Sequence, residues 1–203
     1  DIIMVGAYAI LVTISTSGSP LLAAVLSIVI CTLLGILIEK LAYKPLRGAS
    51  PLAVLITAIG VSYFLQNAAL LIWKSDPKVF TSVINLPSLE LAGGDLLISS
   101  VAIVTVLACI IIMVALTLFT GKTKMGKAMR AVSEDKGAAQ LMGINVNSTI
   151  SVTFAIGSGL AAIAGVLLCS AYPTLMPTTG SMPGIKAFTA AVLGGIGSIP
   201  GAM

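Results

Sequence analysis

Six stretches of this chain contain no Asp, Glu, Lys or Arg: Ile2–Ile14, Leu21–Ile38, Pro51–Trp73, Leu96–Phe119, Ser148–Ser170 and Phe188–Met203. The four internal ones match the roughly 20 apolar residues that a helix needs to cross a hydrocarbon core. In lipid every backbone N–H and C=O must be paired internally, which leaves helices and closed barrels as the spanning structures. A barrel strand alternates between apolar and polar residues. Runs such as VLACIIIMVAL do not alternate, so the expected fold class is an all-α, polytopic transmembrane helical bundle. We read residues 1–203 as a single transmembrane domain. The chain starts at Asp1 rather than Met and stops at Met203 inside an apolar run, so both ends read as truncated.

Composition supports lipid as the solvent. Hydrophobic residues make up 58% of the chain and charged residues 9%, against about 25% charged in soluble domains. His is absent, and the three cysteines, Cys31, Cys109 and Cys169, lie inside apolar runs. Their spacing fits neither a zinc site nor a disulfide framework, so they read as small packing residues. No catalytic residue, metal or cofactor is expected.

The basic residues set an orientation. Lys40, Lys44 and Arg47 fall in segment 39–50, and Lys122, Lys124, Lys127, Arg130 and Lys136 fall in segment 120–147. The opposite segments hold only Lys74, Lys78 and Lys186. The positive-inside rule places 39–50 and 120–147 in the cytoplasm and 15–20, 74–95 and 171–187 outside. The net charge of +4 is thereby explained by topology, and no nucleic-acid partner is implied. Ser50-Pro51 reads as an N-cap followed by proline at the first helical position. Segment 171–187, with Pro173, Pro177, Gly180, Pro183 and Gly184, cannot be a regular helix throughout, and a lid or plug that folds back is one reading of it.

Several motifs dissolve on inspection. Residues 121–128, GKTKMGKA, fall one residue short of a phosphate-binding loop, and Ala128 replaces the magnesium-binding hydroxyl. They read as a basic membrane-edge segment. The sequon at Asn147-Ser148-Thr149 lies on the expected inner side. Gly157-Ser158-Gly159 lies in an apolar span, where Gly157, Ala161 and Gly165 recur every four positions. That is expected to be a helix-packing face.

Two segments carry functional expectations. In AVSEDKGAAQLMGINVN, residues 131–147, Ser133 can cap a helix, Glu134 and Asp135 suit its positive end, and Gly143 suits its stop. The expected helix, Ser133–Met142, is too short to be stable alone in water. It either docks on a partner or lies on the bilayer, and the residues alone leave both open. In Pro51–Trp73, Thr57, Ser62, Gln66 and Asn67 are unusually polar for a span. Ser62 and Gln66 share a face at helical spacing, as do Gly60 and Asn67. Such groups serve either as interhelical hydrogen bonds or as the lining of a path.

Five blocks then resemble a known family: IIMVGAY, AYKPLRGASPLAVLITAIGVSYFLQN, KMGKAMRAVSEDKGAAQLMGINV, TFAIGSGLAAIAGVL and KAFTAAVLGGIGSIPGAM. Together they resemble, in order, the branched-chain amino-acid ABC permeases of the LivH type. Residues 74–95 and 96–119 match only weakly. The resemblance implies a membrane-spanning permease subunit of an ATP-driven importer, itself without enzymatic activity, in the cytoplasmic membrane of a prokaryote. Its implied partners are a second homologous permease subunit, two ATP-binding subunits, an extracytoplasmic solute-binding protein and membrane lipid. It also implies that 120–147 is a coupling loop, with Glu134, Asp135, Ala138, Ala139, Leu141 and Gly143 docking on the ATPase. The cargo expected is branched-chain or related amino acids. The alternative is an ion-coupled secondary transporter or channel; a proton relay is disfavoured because no expected span holds an ionisable group. A membrane-embedded enzyme lacks any candidate catalytic group.

Overall fold

The computed structural model describes residues 1–79, 89–91, 96–195, 197, 199 and 201. Among these, the helices are α1 (Ile2–Ser17), α2 (Pro20–Ile38), α3 (Pro51–Trp73), α4 (Ser100–Lys122), α5 (Lys124–Glu134), α6 (Lys136–Leu141), α7 (Val146–Ala171) and α8 (Ser181–Leu193). Short strands β1 (Lys78–Val79), β2 (Leu89–Leu91), β3 (Leu96–Ile98) and β4 (Thr174–Leu175) join them. Four helical stretches, Pro20–Tyr43, Leu52–Trp73, Ser100–Lys122 and Val146–Ala171, are long and apolar enough to cross a membrane. The all-α, polytopic architecture expected from the sequence is the one observed. Large apolar side chains such as Leu21, Phe64, Leu71 and Ile111 are exposed, as helices solvated by lipid require.

The first compact unit comprises residues 1–83 and 154–184. Its core is Met4, Ala7, Tyr8 and Ile10 of α1, with Ala23, Ala69, Cys169 and Leu175. The rings of Tyr8 and Trp73 stack with centroids 4.6 Å apart. One face of α2 is a row of small buried residues, Ala23, Ser27, Cys31 and Gly35. Small side chains let backbones approach where no hydrophobic effect drives association. At this seam the Ser27 hydroxyl donates to the Gly6 carbonyl at 2.9 Å, and a Cβ on Gly6 would stand 3.1 Å from the Cα of Ala162. On α7 the buried row is Ser158, Ala162, Gly165 and Cys169. The row expected from the sequence was Gly157, Ala161 and Gly165. Gly165 belongs to the observed seam, but Gly157 is exposed with nothing within 4 Å of a Cβ, and Ala161 is only half-buried. Small residues occupy two adjacent phases of this helix, and only the neighbouring helix decides which phase is covered.

Beyond α2 the helix loosens into a π-helical turn, Glu39–Tyr43, and a 3-10 turn, Lys44–Leu46. Glu39 is fully buried and pairs with Arg47. The next helix starts as expected: Ser50 accepts from the Ala53 N–H, and Pro51 opens α3. After α7, β4 pairs antiparallel with β1, Lys78 opposite Leu175. Segment 171–187 is not helical throughout, as expected: it is non-helical from Tyr172 to Gly180, and α8 starts at Ser181. It was expected to start at Phe188. It stops at Leu193, before Gly194 and the left-handed Gly195.

The second unit comprises residues 84–153 and 185–203. Here β2 and β3 form an antiparallel hairpin, with Leu89 opposite Ile98. The helix expected from Leu96 therefore starts at Ser100. The rest of segment 74–95, residues 80–88 and 92–95, lies outside the described residues.

Candidate functional site

Two places gather the residues singled out in the sequence. The first is the α5–α6 segment after α4. Thr123 makes the corner: its hydroxyl donates to the Phe119 carbonyl at 2.7 Å and accepts from the Gly126 N–H at 3.0 Å. Gly126 is needed there, because a Cβ would stand 2.8 Å from the backbone carbon of Thr120. Along α5, Gly126 and Val132 are buried while Lys124, Lys127 and Arg130 are exposed.

The single helix expected over Ser133–Met142 is two helices broken at Asp135. Ser133 is not the cap. It lies in the last turn of α5, with its hydroxyl donating to the Arg130 carbonyl at 2.7 Å. Glu134 ends α5, and Asp135 is extended, with φ −147° and ψ 112°. Its carboxylate accepts from the N–H groups of Gly137 at 2.7 Å and Ala138 at 3.1 Å. A carboxylate on two free N–H groups is the stronger N-cap, which is why α6 starts one residue after Asp135. At the other end Gly143 has φ 81°, donates to the Gln140 carbonyl at 3.0 Å, and lets Ile144 donate to the Ala139 carbonyl at 3.0 Å. These are the two hydrogen bonds of a Schellman stop, and they bear out the reading of Gly143 as a helix stop.

The side chains of this element divide sharply. Ala139 is buried, 3% exposed, whereas Leu141 and Met142 are 91% and 82% exposed. Glu134, Asp135, Ala138 and Gly143 are exposed. A tight turn held by a carboxylate cap and a glycine stop thus presents two large apolar side chains outward. Of the residues expected to dock, Ala139 alone faces inward.

The second place is the polar face of α3. Among the described residues Thr57 and Asn67 bond only within their own helix: Thr57 donates to the Ala53 carbonyl at 2.9 Å, and Asn67 donates to the Tyr63 carbonyl at 2.8 Å. Ser62 and Gln66 turn elsewhere. The Ser62 hydroxyl donates to the Asp1 carboxylate. The Gln66 amide donates to the same carboxylate and to the Ser181 hydroxyl, each at 3.1 Å. Ser62 lies at the midpoint of α3, so Asp1 and the start of α8 both reach the middle of that helix. Close approach depends on Gly180, where a Cβ would stand 3.1 Å from Asp1 Cα.

Asp1 is the residue that sequence reasoning missed. Sequence analysis gave it no role beyond marking where the chain starts. The signal available was Ser62 and Gln66 at i, i+4 in an apolar helix, which demand a polar partner from another element. Among the described residues no group of three or more His, Cys, Asp or Glu could hold a metal.

The model of the family described as "Branched-chain amino acid transport system / permease component" matches residues 1–203. The chain is 42% identical over 214 residues to the high-affinity branched-chain amino acid transport system permease protein BraD of Pseudomonas aeruginosa, covering 100% of this chain and 70% of BraD. It is 43% identical over 217 residues to the corresponding protein LivH of Escherichia coli, with the same coverage. To LivH of Salmonella typhimurium it is 44% identical over 181 residues, 87% of this chain and 58% of that protein. No solved structure matches the chain. With its whole length matched by the family model and its polytopic helical fold, this chain belongs to the family of permease components of branched-chain amino acid transport systems.

Proposed function

We propose that the chain is the membrane-spanning subunit of an ATP-driven importer in the cytoplasmic membrane of a prokaryote, moving branched-chain or related amino acids. The observation that carries this is the family match over the entire chain. In this reading the subunit works with a second homologous permease, two ATP-binding subunits and an extracytoplasmic solute-binding protein, and performs no covalent chemistry. Segment 120–147 faces the cytoplasm, and the α6 turn with Leu141 and Met142 docks on an ATP-binding subunit. The exposure of those two side chains beside a rigid cap supports that role. ATP-driven closure of the partners then favours one membrane conformation, because the docked turn contacts the partner differently in the two states.

The test is uptake of radiolabelled leucine into proteoliposomes holding the intact transporter. Uptake is expected only with ATP, the ATP-binding subunits and the binding protein together. Uptake driven by an ion gradient without ATP would refute the importer reading and support a secondary transporter.

A further inference from the structure

We propose that Leu175, carried by β4 into the core of the first unit, holds the seat that the branched side chain of the cargo takes when β4 lifts, with the Tyr8 hydroxyl receiving the cargo's carboxylate. The proposal rests on the importer reading above and on the outward placement of segment 171–187. Three observations lead to it. Between the exposed Thr174 and Met176, Leu175 is fully buried in the cluster that includes Met4, Tyr8, Ile10 and Cys169. The group seated there is the isobutyl side chain of leucine itself, so the space has the size and apolarity of that cargo.

The second observation is Tyr8. It is fully buried and stacked on Trp73, yet its enclosed hydroxyl has no hydrogen-bond partner among the described residues. A buried hydroxyl left unpaired is unfavourable, and because the oxygen is enclosed, its partner has to enter this core. The Leu175 side chain brings no polar atom. Free leucine brings a carboxylate, which accepts from a phenolic hydroxyl. Sites for small molecules have this composition, mostly apolar with a few placed polar groups.

Third, β4 is lightly held. It and β1 are two residues each, with Lys78 opposite Leu175 and Val79 opposite Thr174. So short a two-stranded ribbon is not stable by itself, and the burial of Leu175 is what seats it. The turn that follows is closed on itself: the Met176 N–H donates to the Thr179 hydroxyl at 2.8 Å, and the Thr179 N–H donates to the Met176 carbonyl at 3.0 Å. Strand and turn can therefore lift together. A cargo side chain that displaces Leu175 replaces the contacts given up and adds the hydrogen bond that Tyr8 lacks, which is the differential interaction a shift to the lifted state requires.

The experiment uses the intact transporter with its partners. Val79 and Thr174 are exposed and opposite each other. Opposite Cα atoms in an antiparallel pair lie about 4.5–5.5 Å apart, within disulfide range, so Val79→Cys with Thr174→Cys locks β4 down reversibly. Oxidation is expected to abolish ATP-driven leucine uptake, reduction to restore it, and each single-cysteine variant to be indifferent to both. A leucine analogue with a photoreactive diazirine in its side chain is expected to label the peptide that holds Met4–Ile10, severalfold less in the oxidised form than in the reduced. Tyr8→Phe is expected to keep or raise the thermal unfolding midpoint, because it removes the unpaired hydroxyl. It should lower uptake at subsaturating leucine about tenfold, the scale of one hydrogen bond to a charged group. Uptake indifferent to the lock, labelling equal in both forms, or undiminished uptake by Tyr8→Phe would overturn the inference. Any of these, with normal leucine import by the unaltered transporter, leaves the importer reading standing. Failure of the unaltered transporter to import any branched-chain amino acid strikes that reading and this inference with it.

Discussion

Gly165 of α7 lies so close to the backbone of α1 that a Cβ on it would stand 2.6 Å from the carbonyl oxygen of Ile3. Backbone cannot swing aside as a side-chain tip can, so even one methyl must separate the helices. Gly165→Ala is expected to destabilise by about 1–3 kcal/mol, the usual cost of overpacking. Gly157→Ala, two turns away and open around its Cβ position, should be nearly neutral. Thermal unfolding of the detergent-solubilised protein compares the two. Equal losses would place the seam on the phase expected from sequence.

A second prediction concerns Glu39, fully buried in the π-helical turn and paired with Arg47, whose side chain is 19% exposed. Removing one partner leaves a charge in a poorly solvating place, while removing both does not. Arg47→Met alone should cost about 3–5 kcal/mol, and Glu39→Met with Arg47→Met much less. A double-mutant cycle on unfolding midpoints reads the coupling. Additive effects would mean that other contacts, not this pair, hold the turn.

How far the sequence went is seen in particular residues. The bounds of α3 were legible because Ser50-Pro51 states a helix start chemically. The stop at Gly143 was legible because its positive φ is a local demand. The break at Asp135 was not, since Ser133 and Asp135 are both residues that can cap a helix, and the choice depends on how far α5 runs from its anchor at Gly126. The α7 seam was illegible for a related reason: Gly157, Ser158, Ala161 and Ala162 are all small. The Asp1 cluster needed three elements brought together, which no local pattern encodes.

Topology gives a third prediction. The distribution of basic residues places Lys127 and Lys136 on the cytoplasmic side and Tyr172 outside, and Lys127, Lys136 and Tyr172 are exposed. In a variant lacking the native cysteines, a cysteine at 172 should react with an impermeant thiol reagent added to intact cells. Cysteines at 127 and 136 should react only after the membrane is opened. Labelling of position 136 from outside would invert the arrangement.

The last prediction separates docking from folding in the α5–α6 turn. Leu141 and Met142 are exposed and apolar, while Ala139 is buried. Met142→Asp should leave the turn intact, because its contacts within the chain are few. It should nonetheless prevent co-purification of the ATP-binding subunit, since a charge buried unpaired at an interface is strongly unfavourable. Ala139→Asp places that charge inside the chain instead, and should lower the folded yield of the permease itself. Asp135→Ala removes the cap on Gly137 and Ala138 and should cost about 0.5–2 kcal/mol locally, which weakens docking without abolishing it. The expected order of ATP-binding subunit retained per folded permease is unaltered protein, then Asp135→Ala, then Met142→Asp. Full retention and normal uptake in Met142→Asp would show that the exposed tip of this turn is not where the ATP-binding subunit attaches.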